Sequence, residues 1–390
     1  FFKFKTKGKH IIYFYNSATT AIVPAVLKTY TDVATKIMGN PSSLHNLGTV
    51  AGRMLEASRK QIADLLGKAA SEIYFTSGGT EGDNWILKGV AFEKRVYGNH
   101  IIVSSVEHPA VKASAEWLAT QGFEVDFAPV DHNGFVKLEA LAALIKKETI
   151  LVSVMAVNNE IGTIEPIRQI GELLADKPTI SFHVDAVQAV GKLDSRDFLP
   201  ERVDFATFSA HKFHGPRGVG FVYIKKGKKL QPLLTGGGQE TNQRSTTENV
   251  AGIAATAKAL RMVLTDLEAK LVKLAAMKEV VLTALADYSD VVVFSQRDHF
   301  VPNIITFGLK GVRGEVLVHG FEAHEIYIST TSACSSKAGL ASSTLTAMNV
   351  PPKLATSAVR ISLDEANNMA EIEQFLTIFK QLHTKFQKIQ

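Results

Sequence analysis

The chain has 390 residues, of which 46% are hydrophobic and 21% charged, with 28 glycines, 12 prolines and one cysteine, Cys334. A chain of this length buries a large core without disulfides or a structural metal, and one thiol excludes an intrachain disulfide, a Cys-rich zinc site and a protein-ligated iron–sulfur cluster within one subunit. The net charge of +5 is mild and spread along the sequence. The densest basic cluster, Lys225, Lys226, Lys228 and Lys229, reads as a solvated loop between strands rather than a nucleic-acid patch.

No apolar run approaches the ~18 residues of a membrane span. The first segment, Phe1 to Tyr15, is basic and then briefly apolar, too short for the apolar region of a signal peptide and without a small-residue cleavage site. A cytoplasmic location, with no membrane and no direct nucleic-acid contact, is the expectation.

In chain order, apolar strand-like runs alternate with longer helical patterns. Glu72 to Thr76 reads as a strand, followed by a Gly turn and a helix from Thr80 to Arg95. Ile101 to Ser104 precedes a helix from Ala110 to Thr120. Further strands are predicted at Ile150 to Ala156, Thr179 to Val184, Phe205 to Phe208 and Val219 to Ile224. Such alternation predicts an α/β fold with a largely parallel sheet, whose ligands sit beyond the carboxyl ends of the strands. After about Gly252 the pattern changes to one long helical stretch, Ile253 to Tyr288. Short strands then follow at Val291 to Phe294, Ile304 to Phe307, Ile326 to Ser329 and Val359 to Leu363, with a last helix from about Ala370. Residues 17–255 are expected to form a large domain, and 1–16 with 256–390 a smaller α+β domain.

Residues with chemical capacity cluster at the predicted strand ends. Lys212, in Ser209-Ala210-His211-Lys212-Phe213-His214-Gly215-Pro216, directly follows an apolar strand; partial desolvation there would make its amine nucleophilic. Alone, a surface lysine is the commoner case. Asp185 closes another strand in His183-Val184-Asp185-Ala186-Val187-Gln188. A Schiff-base lysine and a carboxylate facing a pyridinium nitrogen are the two protein groups that a pyridoxal 5'-phosphate site requires. Thr76-Ser77-Gly78-Gly79-Thr80-Glu81 offers a phosphate cradle: glycines admit the anion, the helix N-terminus donates N–H groups and Thr80 a hydroxyl. A plain helix N-cap is the alternative. His108, before Pro109, closes a further strand and is placed to stack on a flat ring, or is an ordinary turn histidine.

Taken together and in order, these blocks resemble the cysteine desulfurases of the NifS/IscS type, within the class V aminotransferase family of fold-type I pyridoxal phosphate enzymes. The resemblance runs through Asn16-Ser17-Ala18-Thr19-Thr20, Asn40-Pro41-Ser42-Ser43-Leu44-His45, Ser77 to Glu81, Glu107-His108, Asn158 to Gly162, His183 to Gln188, Ser209 to Lys212, Gly236 to Glu240, Arg244 to Asn249, Ser332 to Ser336 and Val359 to Ser362. Each block is short and unspecific, whereas their order is highly specific.

The resemblance implies a seven-stranded, mainly parallel sheet in the large domain, with Lys212 bonded to the cofactor and Asp185 on its pyridine nitrogen. It further implies that His108 stacks on the ring and aids proton transfer, that Gln188 contacts the phenolic oxygen, and that Gly79, Thr80, Ser209 and His211 surround the phosphate. Thr247 would reach the phosphate of a neighbouring subunit, making a homodimer with shared active sites. Asn159 and Arg360 would hold the carboxylate of L-cysteine, Arg360 by a bidentate pair. Cys334, in a small, hydroxyl-rich setting, matches the thiol that takes the sulfur and passes it to an acceptor, an iron–sulfur scaffold or tRNA-thiolation protein. Selenocysteine lyase or another class V aminotransferase activity would use the same site.

Two positions depart from that pattern, Tyr15 where an Asp is common and Asp364 where a Gly is usual. Neither is expected to touch the cofactor-binding set. Other chemistries find no support: His324-Glu325 lacks the second helix-spaced histidine of a zinc protease, and Gly215, Gly218 and Gly220 do not follow the dinucleotide-binding order.

Overall fold

The computed structural model describes residues 5–6, 9–331 and 342–388. Its strands are β1 (Lys5–Thr6), β2 (Lys9–His10), β3 (Ile12–Tyr13), β4 (Ile73–Thr76), β5 (His100–Ser104), β6 (Glu124–Ala128), β7 (Thr149–Ser153), β8 (Ser181–Asp185), β9 (Phe205–Ser209), β10 (Gly220–Ile224), β11 (Val291–Val293), β12 (Ile304–Leu309), β13 (Ile326–Tyr327), β14 (Ser329–Thr330) and β15 (Ala358–Ser362). Seven of them form the main sheet, in the order β4-β10-β9-β8-β7-β5-β6.

The β9-β8-β7-β5-β6 stretch is parallel, and β10 runs antiparallel to both its neighbours. Strands β5, β7, β8, β9 and β10 are buried along their whole length, as expected where helices cover both faces of a sheet. Because those strands are parallel, their carboxyl ends gather Ser104, Ser153, Asp185 and Ser209 along one edge, and the loops that follow them carry Glu107, His108, Gln188 and Lys212.

Strand β6 was not signalled by an apolar run. It is one of the two edge strands, and Glu124 and Phe127 are exposed, so the hydrophobic pattern that marks a covered strand is missing. The long helical stretch after Ile253 is two helices, Val250–Leu264 and Leu267–Ala286. The break falls at Asp266, whose φ of 53° leaves the right-handed helical region.

A second sheet, β11-β12-β15-β14, lies in the C-terminal part, and β13 pairs with β3. Ile12 and Phe14 pack into the same hydrophobic cluster as Leu274, Phe307, Phe321, Ile361 and Phe375. The N-terminal segment is therefore part of the C-terminal core. Phe14 and Phe375 meet edge to face, with centroids 5.9 Å apart.

Candidate active site

Lys212 ends a short 3-10 turn, Ala210–Lys212, directly after β9. Its Nζ donates to the carbonyls of Ser17 (2.7 Å) and Ala18 (2.8 Å). Those carbonyls come from the segment that leads out of the C-terminal core, so the lysine sits where the two cores meet. A cavity bordered by Asn16, Thr20, Lys192, Lys212, His214 and Asp364 opens there.

Asp185 is the last residue of β8 and is 4% exposed. Burial raises its carboxyl to about 6; the N–H of Val187, 2.9 Å from Oδ1, and the charge of Lys212 oppose that rise. Two further groups lie behind it. Burial, then the charge of Asp185, pushes Asp83 well above the usual carboxylate range, and burial lowers His183 to about 3. The His183 ring spans Ser153 Oγ (2.8 Å) and Thr207 Oγ1 (3.0 Å). The sequence pattern did not single out Asp83, although it shares the helix that starts at Gly79, on its buried face.

His108 caps the helix Pro109–Thr120: its Nδ1 accepts the N–H of Ala110 at 3.1 Å. The ring proton is thereby left to Nε2. Burial and the nearby Lys212 hold the imidazole down to about 4, so it is neutral near pH 7. His211 is lowered to about 4 by burial and then by Lys212, and its Nδ1 lies 3.2 Å from Thr19 Oγ1. The charge of Lys212 thus acts on Asp185, His108 and His211 alike.

The helix Gly79–Lys94 points its N-terminus at the same region. A Cβ on Gly79 would sit 2.8 Å from Val187 Cγ2 and 3.6 Å from Ser209 Cβ. Glycine is required by this close approach, and Gly79 shares its corner with the end of β9 and the turn after β8. Thr80 is exposed beside it, and Ser209 is 4% exposed.

Gln188 is buried, and its Nε2 donates to Ser17 O at 2.8 Å, the carbonyl that also accepts from Lys212. Arg360, in the middle of β15, donates through Nη1 to the backbone carbonyl of Asn159 at 2.5 Å. This brings Asn159 and Arg360 together. Thr247 is exposed and borders a separate cavity with Thr76, Ser77 and Arg244. Cys334 lies outside the described residues.

The departure at Asp364 lies closer to the site than the sequence suggested. Its Oδ2 is 3.0 Å from His214 Nε2, and it borders the Lys212 cavity. Tyr15, the other departure, forms a parallel bridge with Ser362 at the end of β15. Among the described residues no group of His, Cys, Asp and Glu side chains could hold a metal ion, and no helix is long and apolar enough to cross a membrane.

Residues 12–375 match the family model described as aminotransferase class-V. A "NifS/IcsS protein homolog" of Lactobacillus delbrueckii subsp. bulgaricus is 53% identical over 380 residues, covering 97% of this chain and 99% of that protein. The protein named cysteine desulfurase IscS from Clostridium botulinum strain Hall is 39% identical over 374 residues, covering 95% and 94%. Among solved structures, one titled NifS-like protein superposes with a TM-score of 0.90 at 36% identity, covering 96% of this chain and 99% of the other.

Proposed function

From the premise that this chain belongs to the class V aminotransferase family, among proteins of the NifS/IscS kind, we propose that it is a pyridoxal phosphate-dependent cysteine desulfurase, converting L-cysteine to L-alanine and leaving the sulfur on Cys334. The observation that carries this reading is the convergence at neighbouring strand ends of Lys212 and Gln188, which share the Ser17 carbonyl, with the buried carboxylate of Asp185 and the imidazole of His108.

These residues fit the cofactor. A helix N-terminus with a glycine that admits no side chain, next to Ser209 and His211, suits a phosphate. Asp185 would hold the proton on the pyridine nitrogen, and the neutral, flat ring of His108 suits stacking. When bound, the cofactor supplies an electron sink for the carbon that loses its proton.

The chain's own groups do the rest. Lys212 Nζ takes the α-proton from the substrate, and the carbonyls of Ser17 and Ala18 give its ammonium form a place to rest. Arg360, fixed by the Asn159 carbonyl, orients the substrate carboxylate with Asn159. The Cys334 thiolate attacks the substrate sulfur; a sulfur–sulfur bond forms as the carbon–sulfur bond breaks, its electron pair going to the β-carbon, which takes a proton, and return of a proton to the α-carbon completes alanine. An exposed Thr247 is suited to the phosphate of a second copy in a homodimer, and the persulfide to transfer onto a sulfur-acceptor protein in the cytoplasm. Residues 17–255 would then carry the cofactor, and 1–16 with 256–390 the Cys334 segment.

Incubation with pyridoxal phosphate and L-cysteine, followed by mass measurement of the Cys334 peptide, tests the reading. One added sulfur is expected, together with alanine in solution. Persulfide formation at full yield in a C334S variant would overturn the relay through Cys334.

A further inference from the structure

The turn after β8 places a second lysine beside the site. Gly191, at φ 73°, reverses the chain where a Cβ would meet Val263 Cγ2 at 2.4 Å. Lys192 follows, its N–H bonded to the Ala189 carbonyl, and its part-buried side chain runs back so that Nζ donates to Gln188 Oε1 at 2.7 Å. The other end of that amide, Nε2, donates to Ser17 O at 2.8 Å.

An amide side chain has nearly the same shape either way round, so its partners decide which end faces where. A carbonyl such as Ser17 O only accepts, and Lys192 in its charged form only donates. Both anchors therefore demand the same orientation. The oxygen is turned to Lys192 and the NH2 group to the Lys212 side, where one of its two hydrogens remains after Ser17 O is satisfied.

We propose that Lys192 is a positioning residue, which locks Gln188 with its amide nitrogen toward the reacting centre so that Gln188 donates to the anionic ring oxygen of the cofactor. This rests on the pyridoxal phosphate reading above and assigns a role that the motif resemblance did not supply. Burial and the charge of Lys212 lower the Lys192 ammonium to about 7, with Asp364 opposing and Arg360 adding to that fall. Lys270, His214 and Glu365 border the same cavity. Lys192 thus stands in a crowd of charges, and its contact with Gln188 is the one aimed at the cofactor side.

A donor and a cation beside the ring oxygen disfavour the protonated form of the bound chromophore. The test is a pH titration of the visible absorbance of holoenzyme, without substrate. In K192M the midpoint is expected to rise by about one pH unit, and K192R is expected to restore most of the difference. In a Q188A background, K192M is expected to add little, the signature of a residue acting through its neighbour.

An unchanged midpoint in K192M with normal cofactor content overturns the proposal, and so does an undiminished shift in the Q188A background. Should K192M fail to fold, K192Q replaces it, with the same criteria. A visible band that does not titrate in the wild type overturns this proposal alone, whereas a protein that takes up pyridoxal phosphate without forming the visible band of a Lys212-bonded cofactor overturns the functional reading and this proposal with it.

Discussion

Arg59 and Glu240 lie 181 residues apart and meet in the interior through two contacts, Nη2 to Oε1 at 2.7 Å and Nη1 to Oε2 at 2.8 Å. Glu240 also accepts the N–H of Phe75 in β4 at 2.8 Å. It opens a run of three residues with positive φ, Glu240, Thr241 and Asn242. The pair therefore fixes a left-handed turn on the path from the Gly236 block to Thr247. Removing one partner leaves the other charge buried, so R59M is expected to cost about 3–5 kcal/mol. Urea unfolding of the apoprotein measures it; a loss no larger than that of an exposed pair such as Lys60–Asp64 would refute the assignment.

Asp185 gives the site its demand for a positively charged partner. On the proposed reading, the neutral amide of D185N would no longer hold a proton on the ring nitrogen of the cofactor. Cofactor uptake is expected to persist while alanine formation falls by about 10²–10³-fold. Steady-state kinetics on protein of equal cofactor content decides this, and near-normal turnover would remove Asp185 from the chemistry.

Glu107 provides a stability test that is independent of catalysis. Burial raises its carboxyl from 4.5 to about 8, against the hydrogen bonds from Ser104 and from the Met155 N–H. A carboxyl raised on folding supports the native state fully below its unfolded value, and that support is lost as pH climbs from about 4.5 through about 8. Each unit of displacement corresponds to about 1.4 kcal/mol. E107Q mimics the protonated acid. Its melting temperature is expected to exceed that of wild type at pH 8.5, with the gap narrowing toward pH 5. A gap that does not change with pH would contradict this origin.

Asp364 supplies the opposite sign on the acid side, while its partner His214 shares the sign of Glu107. His214 Nδ1 faces the Ala21 carbonyl at 2.9 Å and Nε2 faces Asp364 at 3.0 Å. While Asp364 is ionised both partners only accept, which favours the ring with both nitrogens protonated. Although burial opposes it, Asp364 raises the histidine, and His214 in turn holds Asp364 low against its own burial. The histidine's share of stability is present below its usual 6.5 and is lost as pH rises through its elevated value. The aspartate's share is present above 3.8 and is lost as pH falls through its depressed one. D364N is therefore expected to lower the melting temperature most near pH 6 and least near pH 9; an equal loss at both would indicate packing alone.

The strands that place the site were legible because they are buried on both faces and end abruptly at polar residues; Asp185 and Ser209 stand at such ends, and Gln188 and Lys212 just past them. Strand β6 carries no apolar run because Glu124 and Phe127 face solvent, and the break at Asp266 is hidden because its sequence retains helix-forming residues on both sides. The pairs Arg59–Glu240 and His214–Asp364 join residues 181 and 150 positions apart, and single-sequence periodicity carries no information at that range. Lys192 escaped for a different reason. Four residues beyond Gln188 it reads as an ordinary turn lysine, and its meaning depends on the way the Gly191 turn folds it back.

Ser17 O, which accepts from both Lys212 and Gln188, lies three residues beyond Phe14, a side chain fully buried in the C-terminal core. Ser17 N and Asn16 Nδ2 are tied to Ser362 at the end of β15, two residues from Arg360. The short span from Phe14 to Ser17, about 10 Å long at most, therefore ties the C-terminal core directly to the carbonyl on which Lys212 and Gln188 converge. One stretch of backbone thus holds in a single register the carbonyl that receives the amine and the strand end that carries Arg360, so a substitution that loosens Phe14 in its core is felt at both.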